Sequence, residues 1–97
     1  MCGGTGDVKQ ADEEVQAIVD GLTGEINSHV GKTYTKLEAV SYKRQVVAGT
    51  NYFIKVNVGD DEHIHVRVFQ ALPHTGQGPA LHGVQTDKSG ADPVEYF

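Results

Sequence analysis

The spacing of apolar residues changes period once along this chain, and that change restricts the fold more than any other feature. Val15, Ile18, Val19, Leu22, Ile26 and Val30 recur at steps of three and four, which places them on one stripe of an α-helix. From Asn51 the period is two. Tyr52, Ile54, Val56 and Val58 alternate with Phe53, Lys55 and Asn57, and Ile64, Val66 and Val68 alternate with His63, His65 and Arg67. Alternation of this kind marks strands with two unlike faces. One helix ahead of a run of strands predicts an α+β domain: one long α-helix packed across a curved antiparallel β-sheet of four to five strands.

The boundaries can be read from the punctuation. Asp12 is suited to cap the helix, and Glu13 and Glu14 suit its positive start. Gly31 is a stop signal. Gly21 and Gly24 lie inside the helix and each costs roughly 1 kcal/mol relative to alanine, so the helix needs a sheet to lie on. Strands are expected at 37–47, 51–58, 63–70 and within 80–87. Ala48-Gly49-Thr50 and Gly59-Asp60-Asp61-Glu62 supply hairpin turns, and 71–80 is a loop carrying Pro73, Gly76, Gly78 and Pro79. The polar residues of the alternating pattern predict a sheet covered on one side only. Residues 1–97 are read as a single domain, of which residues 1–11, polar and glycine-rich, form a flexible N-terminal arm.

Composition removes several function classes. A net charge of −5 leaves no basic surplus for nucleic acid or an anionic membrane, and no apolar run approaches the roughly 20 residues that span a bilayer. The start, Met1-Cys2-Gly3-Gly4, has no basic region followed by an apolar stretch, so a cytoplasmic address is expected, with passive entry to the nucleus at this size. Cys2 is the only thiol; it cannot form an internal disulfide, and it lacks the rigid, electropositive setting of a catalytic cysteine. His63 and His65 are two apart, as zinc ligands can be, but no third or fourth ligand accompanies them, and His29, His74 and His82 show no ligand spacing. No phosphate cradle and no paired carboxylates in a protected setting occur. The chain is read as not an enzyme, with no metal and no cofactor.

What remains is an oddity in the turns. Gln45-Val46-Val47-Ala48-Gly49 puts apolar residues at or beside a hairpin tip, where polar residues are usual, and Leu72-Pro73 repeats this in the next loop. Two readings are open at this point. Either the valines close a strand by packing inward, or they form an exposed binding surface.

The run Gln45–Gly49 matches the Q-x-V-x-G motif of the cystatin superfamily. With the Met1-Cys2-Gly3 start, Gln45 through Val56, Val66-Arg67-Val68-Phe69-Gln70, Leu72-Pro73-His74 and Tyr96-Phe97, the chain resembles a type 1 cystatin, or stefin, over nearly its whole length. The resemblance implies an intracellular, reversible, tight-binding and non-covalent inhibitor of papain-like cysteine proteases of the cathepsin L, S, H and B type. It implies a three-part wedge: Gly3 and Gly4 in an arm along the non-primed side of the cleft, Gln45, Val46, Val47, Ala48 and Gly49 over the catalytic cysteine, and Leu72, Pro73 and His74 as a second primed-side contact. Gly4, Thr5 and Gly6 make the arm loose, so ordering it costs entropy. The resemblance also implies a monomer with access to a domain-swapped dimer, the first hairpin being the hinge. A non-inhibitory scaffold of the same fold is the alternative, and zinc buffering by His63 and His65 is a third reading.

Overall fold

The computed structural model describes residues 8–59, 61–71, 76, 78–94 and 97, and of Val47 the backbone. In chain order the elements are β1 (Lys9–Gln10), α1 (Glu13–Gly21), α2 (Thr23–Val30), β2 (Glu38–Val47), β3 (Gly49–Gly59), β4 (Glu62–Gln70) and β5 (Ala80–Lys88). The strands form one antiparallel sheet in the order β1-β2-β3-β4-β5. The expected α+β architecture is present, with the helical segment laid across the sheet from β2 to β5.

The helix starts as its sequence dictates. Asp12 is extended and its carboxylate accepts from the Val15 amide at 2.9 Å, with Glu13 and Glu14 in the first turn. Gly31, in the left-handed region at φ 72°, ends it, and its N–H donates to the Asn27 carbonyl. The helix is divided at Leu22, where φ is −111° and ψ is 8°. Flanking Gly21 and Gly24 weaken the helix there, and Thr23 Oγ1 turns back to donate to the Val19 carbonyl at 3.2 Å. Leu22 nevertheless stays buried, so the apolar stripe crosses the break.

That stripe (Val15, Ile18, Val19, Leu22, Ile26) packs on Tyr42, Tyr52, Ile54, Val56, Ile64, Val66 and Val68. Each fully covered aliphatic side chain contributes roughly 1.5–3 kcal/mol. A polar side chain fixes the helix along the sheet. Gln16 donates from Nε2 to the Leu37 carbonyl at 2.9 Å and accepts at Oε1 from the Ala39 amide at 2.8 Å, satisfying backbone groups at the entry to β2.

Two features depart from the sequence reading. The arm drawn through residue 11 is joined to the sheet at its end: Lys9 pairs with Tyr42, Gln10 with Ser41, and the Ala11 amide donates to the Val40 carbonyl at 3.0 Å. Such pairing uses backbone groups alone, so no side-chain pattern announces it. The second departure is a correction. The sheet is not covered on one side only. On the face away from the helix Phe53 is 0% exposed, His65 1% and Lys55 8%. The cover is the segment after β5. It opens in a turn in which the Ser89 amide donates to the Asp92 carboxylate at 2.7 Å. Lys55 Nζ then donates to the Gly90 carbonyl at 2.7 Å, and Arg67 Nη1 to the main-chain oxygen of Phe97 at 2.6 Å. The Phe97 ring meets Phe53 edge-on at 5.9 Å, and Val94 is buried outside the helix-side cluster. Lys55 and Arg67 thus find main-chain acceptors in this cover, while His65 is enclosed with its Nε2 unpartnered.

Candidate functional site

The first hairpin is as tight as a hairpin can be. Gln45 pairs with Asn51, Val46 with Thr50 and Val47 with Gly49, leaving Ala48 alone at the tip. Gly49 is required there for two reasons. Its φ is 125°, a conformation that side chains rarely adopt. A Cβ at this position would also lie 2.6 Å from the Gln70 carbonyl oxygen and 2.7 Å from Phe69 Cζ. The tip is therefore pressed against the end of β4.

Of the two valines in question, the structure describes the side chain of Val46. Gln45 is buried, and its Oε1 accepts from Asn51 Nδ2 at 3.1 Å. Val46, its neighbour, faces the other way and is 63% exposed. It is not part of the buried cluster under the helix and does not close the core. Ala48 is exposed as well. The apolar tip is held out to solvent by a rigid turn, the arrangement expected of a surface that docks into something concave.

Two further segments reach this end of the sheet. Because Lys9 pairs with Tyr42 and Gln10 with Ser41, the chain runs from Gln10 back toward Val8 in the direction of the first hairpin; Val8 is exposed. Gln70 pairs with Thr50 and Ala80 with Phe69, so the connection between β4 and β5 leaves and re-enters the sheet beside the same tip. Of the residues singled out in the sequence, Gln45, Val46, Ala48 and Gly49 are brought together with the Val47 backbone. Gly3, Gly4, Leu72, Pro73 and His74 lie outside the described residues.

The histidine pair on β4 is held by different means. His63 Nδ1 lies 3.0 Å from the Asp61 carbonyl. His65 is enclosed with Nε2 unpartnered; burial, then the nearby Lys88 and Lys55 charges, pull its pKa down to about 4. Among the described residues no group of three or more His, Cys, Asp or Glu could hold a metal ion. Among them, also, no helix is long and apolar enough to cross a membrane. A groove of about 460 Å³ lies between α2 and the start of β5, lined by Glu25, Ser28, His29, Pro79, Ala80 and Leu81. It shares no residue with the hairpin tip.

Residues 3–90 fit the cystatin domain model. The chain belongs to the cystatin family, a family of cysteine-protease inhibitors. Within it, the chain is 45% identical over 97 residues to Cystatin-B of Paralichthys olivaceus, covering 100% of this chain and 99% of that protein. It is 44% identical over 97 residues to Cystatin-B of Homo sapiens, with the same coverage, and 44% identical to Cystatin-B of Oplegnathus fasciatus, covering 97% of it.

Proposed function

We propose that this chain is a reversible, non-covalent inhibitor of papain-like cysteine proteases of the cathepsin L, S, H and B type, acting as a monomeric single domain in the cytoplasm and, by its size, in the nucleus. The Val46–Gly49 tip enters the active-site cleft above the catalytic cysteine. Gly3 and Gly4, in the arm that continues beyond Val8, lie on the non-primed side, and Leu72, Pro73 and His74 add the second primed-side contact.

The observation that carries this reading is the first hairpin. It presents Val46 and Ala48 to solvent on a turn that Gly49 and the end of β4 keep from rearranging. Covering the exposed part of Val46 is worth roughly 1–2 kcal/mol, and a pre-formed tip loses little entropy on docking. A closed turn offers no extended peptide to the nucleophile, so the block is occupancy of the cleft and not a slow cleavage.

The test is a titration of active papain with the purified protein at nanomolar concentration. Stoichiometric loss of activity that recovers on dilution supports the proposal. A folded protein that leaves papain fully active overturns it and makes a non-inhibitory scaffold of the same fold the better description.

A further inference from the structure

The hairpin tip does not hold its own position. Gly49 rests on the Phe69 ring, with the space for any Cβ taken by Phe69 Cζ at 2.7 Å and Cε1 at 3.0 Å. Phe69 pairs directly with Asn51 on β3 and with Ala80 on β5. A large ring in the middle of three strands reaches the diagonal neighbours two residues along. On β3 the neighbour toward the tip is Gly49, and the one away from it is Phe53. On β5 the neighbour is His82, whose ring centroid lies 5.7 Å from that of Phe69 at an interplanar angle of 32°.

His82 reaches Phe69 through an irregularity in the sheet. Arg67 pairs with Gly83 and Val68 with Leu81, which leaves His82 as an extra residue on β5. A bulge of this kind re-aims the side chain it carries. The imidazole packs tilted against the Phe69 ring from the β5 strand. On the other flank Gln45 and Asn51 are joined by their side-chain hydrogen bond. A row running from Gln45 through Asn51 and Phe69 to His82 crosses four strands beneath the tip.

We infer that Phe69 and His82 are positioning residues for inhibition: the His82 ring, delivered by the β5 bulge, holds Phe69 against Gly49 and so fixes the angle at which the Val46–Gly49 tip enters the protease. The inference rests on the inhibitory reading above. Neither residue needs to touch the protease. A tilted aromatic pair that loses one member frees the other to move, and the tip loses its rigid support. The complex then still forms but dissociates faster, because the bound tip, without its brace, works loose from the cleft more readily.

The experiment measures association and dissociation rates with papain for the full chain carrying His82→Ala, His82→Phe, Phe69→Leu and, as a control on the same face but away from the tip, Phe53→Leu. Amide exchange at Gly49 and Thr50 and the unfolding midpoint in urea are read alongside. His82→Ala raises the dissociation rate about two- to tenfold, the range an aromatic pair is worth, and speeds exchange at Gly49 and Thr50. His82→Phe restores both. Phe69→Leu raises the dissociation rate about tenfold. Phe53→Leu lowers the urea midpoint but changes neither the dissociation rate nor tip exchange. The inference is overturned when His82→Ala and Phe69→Leu match the parent in dissociation rate and tip exchange, or when Phe53→Leu alters them equally. If the parent chain does not inhibit papain, the inhibitory reading fails by itself, and the exchange at Gly49 and Thr50 alone decides whether the brace exists.

Discussion

The two faces of the sheet are closed by different chemistry. The face under the helix is aliphatic: Ile54, Val56, Ile64, Val66 and Val68 meet the stripe of α1 and α2. The other face is made of Phe53, Lys55, His63, His65 and Arg67, closed by the chain that follows β5. The first closure depends on area removed from water, which pH leaves alone. The second depends on protonation state and on a few named hydrogen bonds. The hairpin tip takes its support from the second face, through Phe69. A change on the helix face should therefore cost stability with little effect on the tip, while a change on the opposite face is felt locally and selectively.

The largest effect that tests this contrast is on the helix face. Ile54 is fully buried beneath α1 and α2, and Ile54→Ala should cost about 2–5 kcal/mol in urea unfolding at pH 7. The loss should be the same at pH 5. A loss that grows at the lower pH would mean that the two faces are coupled and the contrast is false.

Gly49→Ala comes next and acts at the tip. The substitution meets a left-handed φ and a backbone oxygen together, so about 3 kcal/mol of stability is lost and papain inhibition weakens by roughly a hundredfold or more as the tip swings away from its docking angle. Gly49→Trp should lose inhibition in the same way. Gly59, at the β3–β4 turn, is the matched comparison. Its φ is 113° but nothing lies within 4 Å of a Cβ built there. Gly59→Ala should cost only the backbone term, about 1–2 kcal/mol, and leave inhibition intact. Equal inhibition by the two variants would remove the tip from the binding surface.

These contrasts also show what could be read in the sequence and what could not. The helix face was legible because each of its residues repeats a period, and the helix break was foreshadowed by Gly21 and Gly24. The run Gln45–Gly49 was legible as an anomaly, apolar where a turn should be polar. The second face was read as solvated because Lys55, His63 and His65 are polar and the covering residues, Val94 and Phe97, belong to a short final stretch with no period. Lys9–Gln10 pairs through its backbone, which carries no side-chain signature. The Phe69–His82 contact depends on a one-residue shift between β4 and β5, visible only once strands are paired. Gln16 looked like an ordinary polar position of a helix, and nothing near it in the chain names Leu37 and Ala39 as its partners.

A third prediction concerns pH. His65 pairs across the sheet with Lys55 on β3, and the charges of Lys88 on β5, Asp92 in the covering segment and His63 on its own strand also act on it. Its pKa falls from 6.5 to about 4 on folding, so between these values the unfolded chain binds a proton that the folded chain does not. Stability is then complete above about pH 6.5 and declines as pH drops toward 4, by on the order of 2–3 kcal/mol. Urea unfolding from pH 7 to 4 should show this slope, and His65→Phe should flatten it. His65 Nε2 has no partner to lose, so an apolar ring of similar size leaves no orphan polar atom behind. A slope that survives in His65→Phe would place the proton uptake elsewhere.

The smallest expected effect is the most local. Lys55 keeps its stem within the second face and donates its ammonium to the Gly90 carbonyl at 2.7 Å. Lys55→Met preserves the stem's packing and removes the donor. Gly90 is exposed, so its carbonyl can take water instead, and the global cost should be about 1 kcal/mol or less. Amide exchange should separate this from a general loosening. It should speed up at Ala91 and Asp92, where the covering segment turns on Ser89, while the amides of β3 and β4 under the helix keep their protection. Exchange that rises equally in both places would mean that the segment after β5 and the helix-side core open as one unit, and that the two closures, though chemically unlike, are not energetically separate.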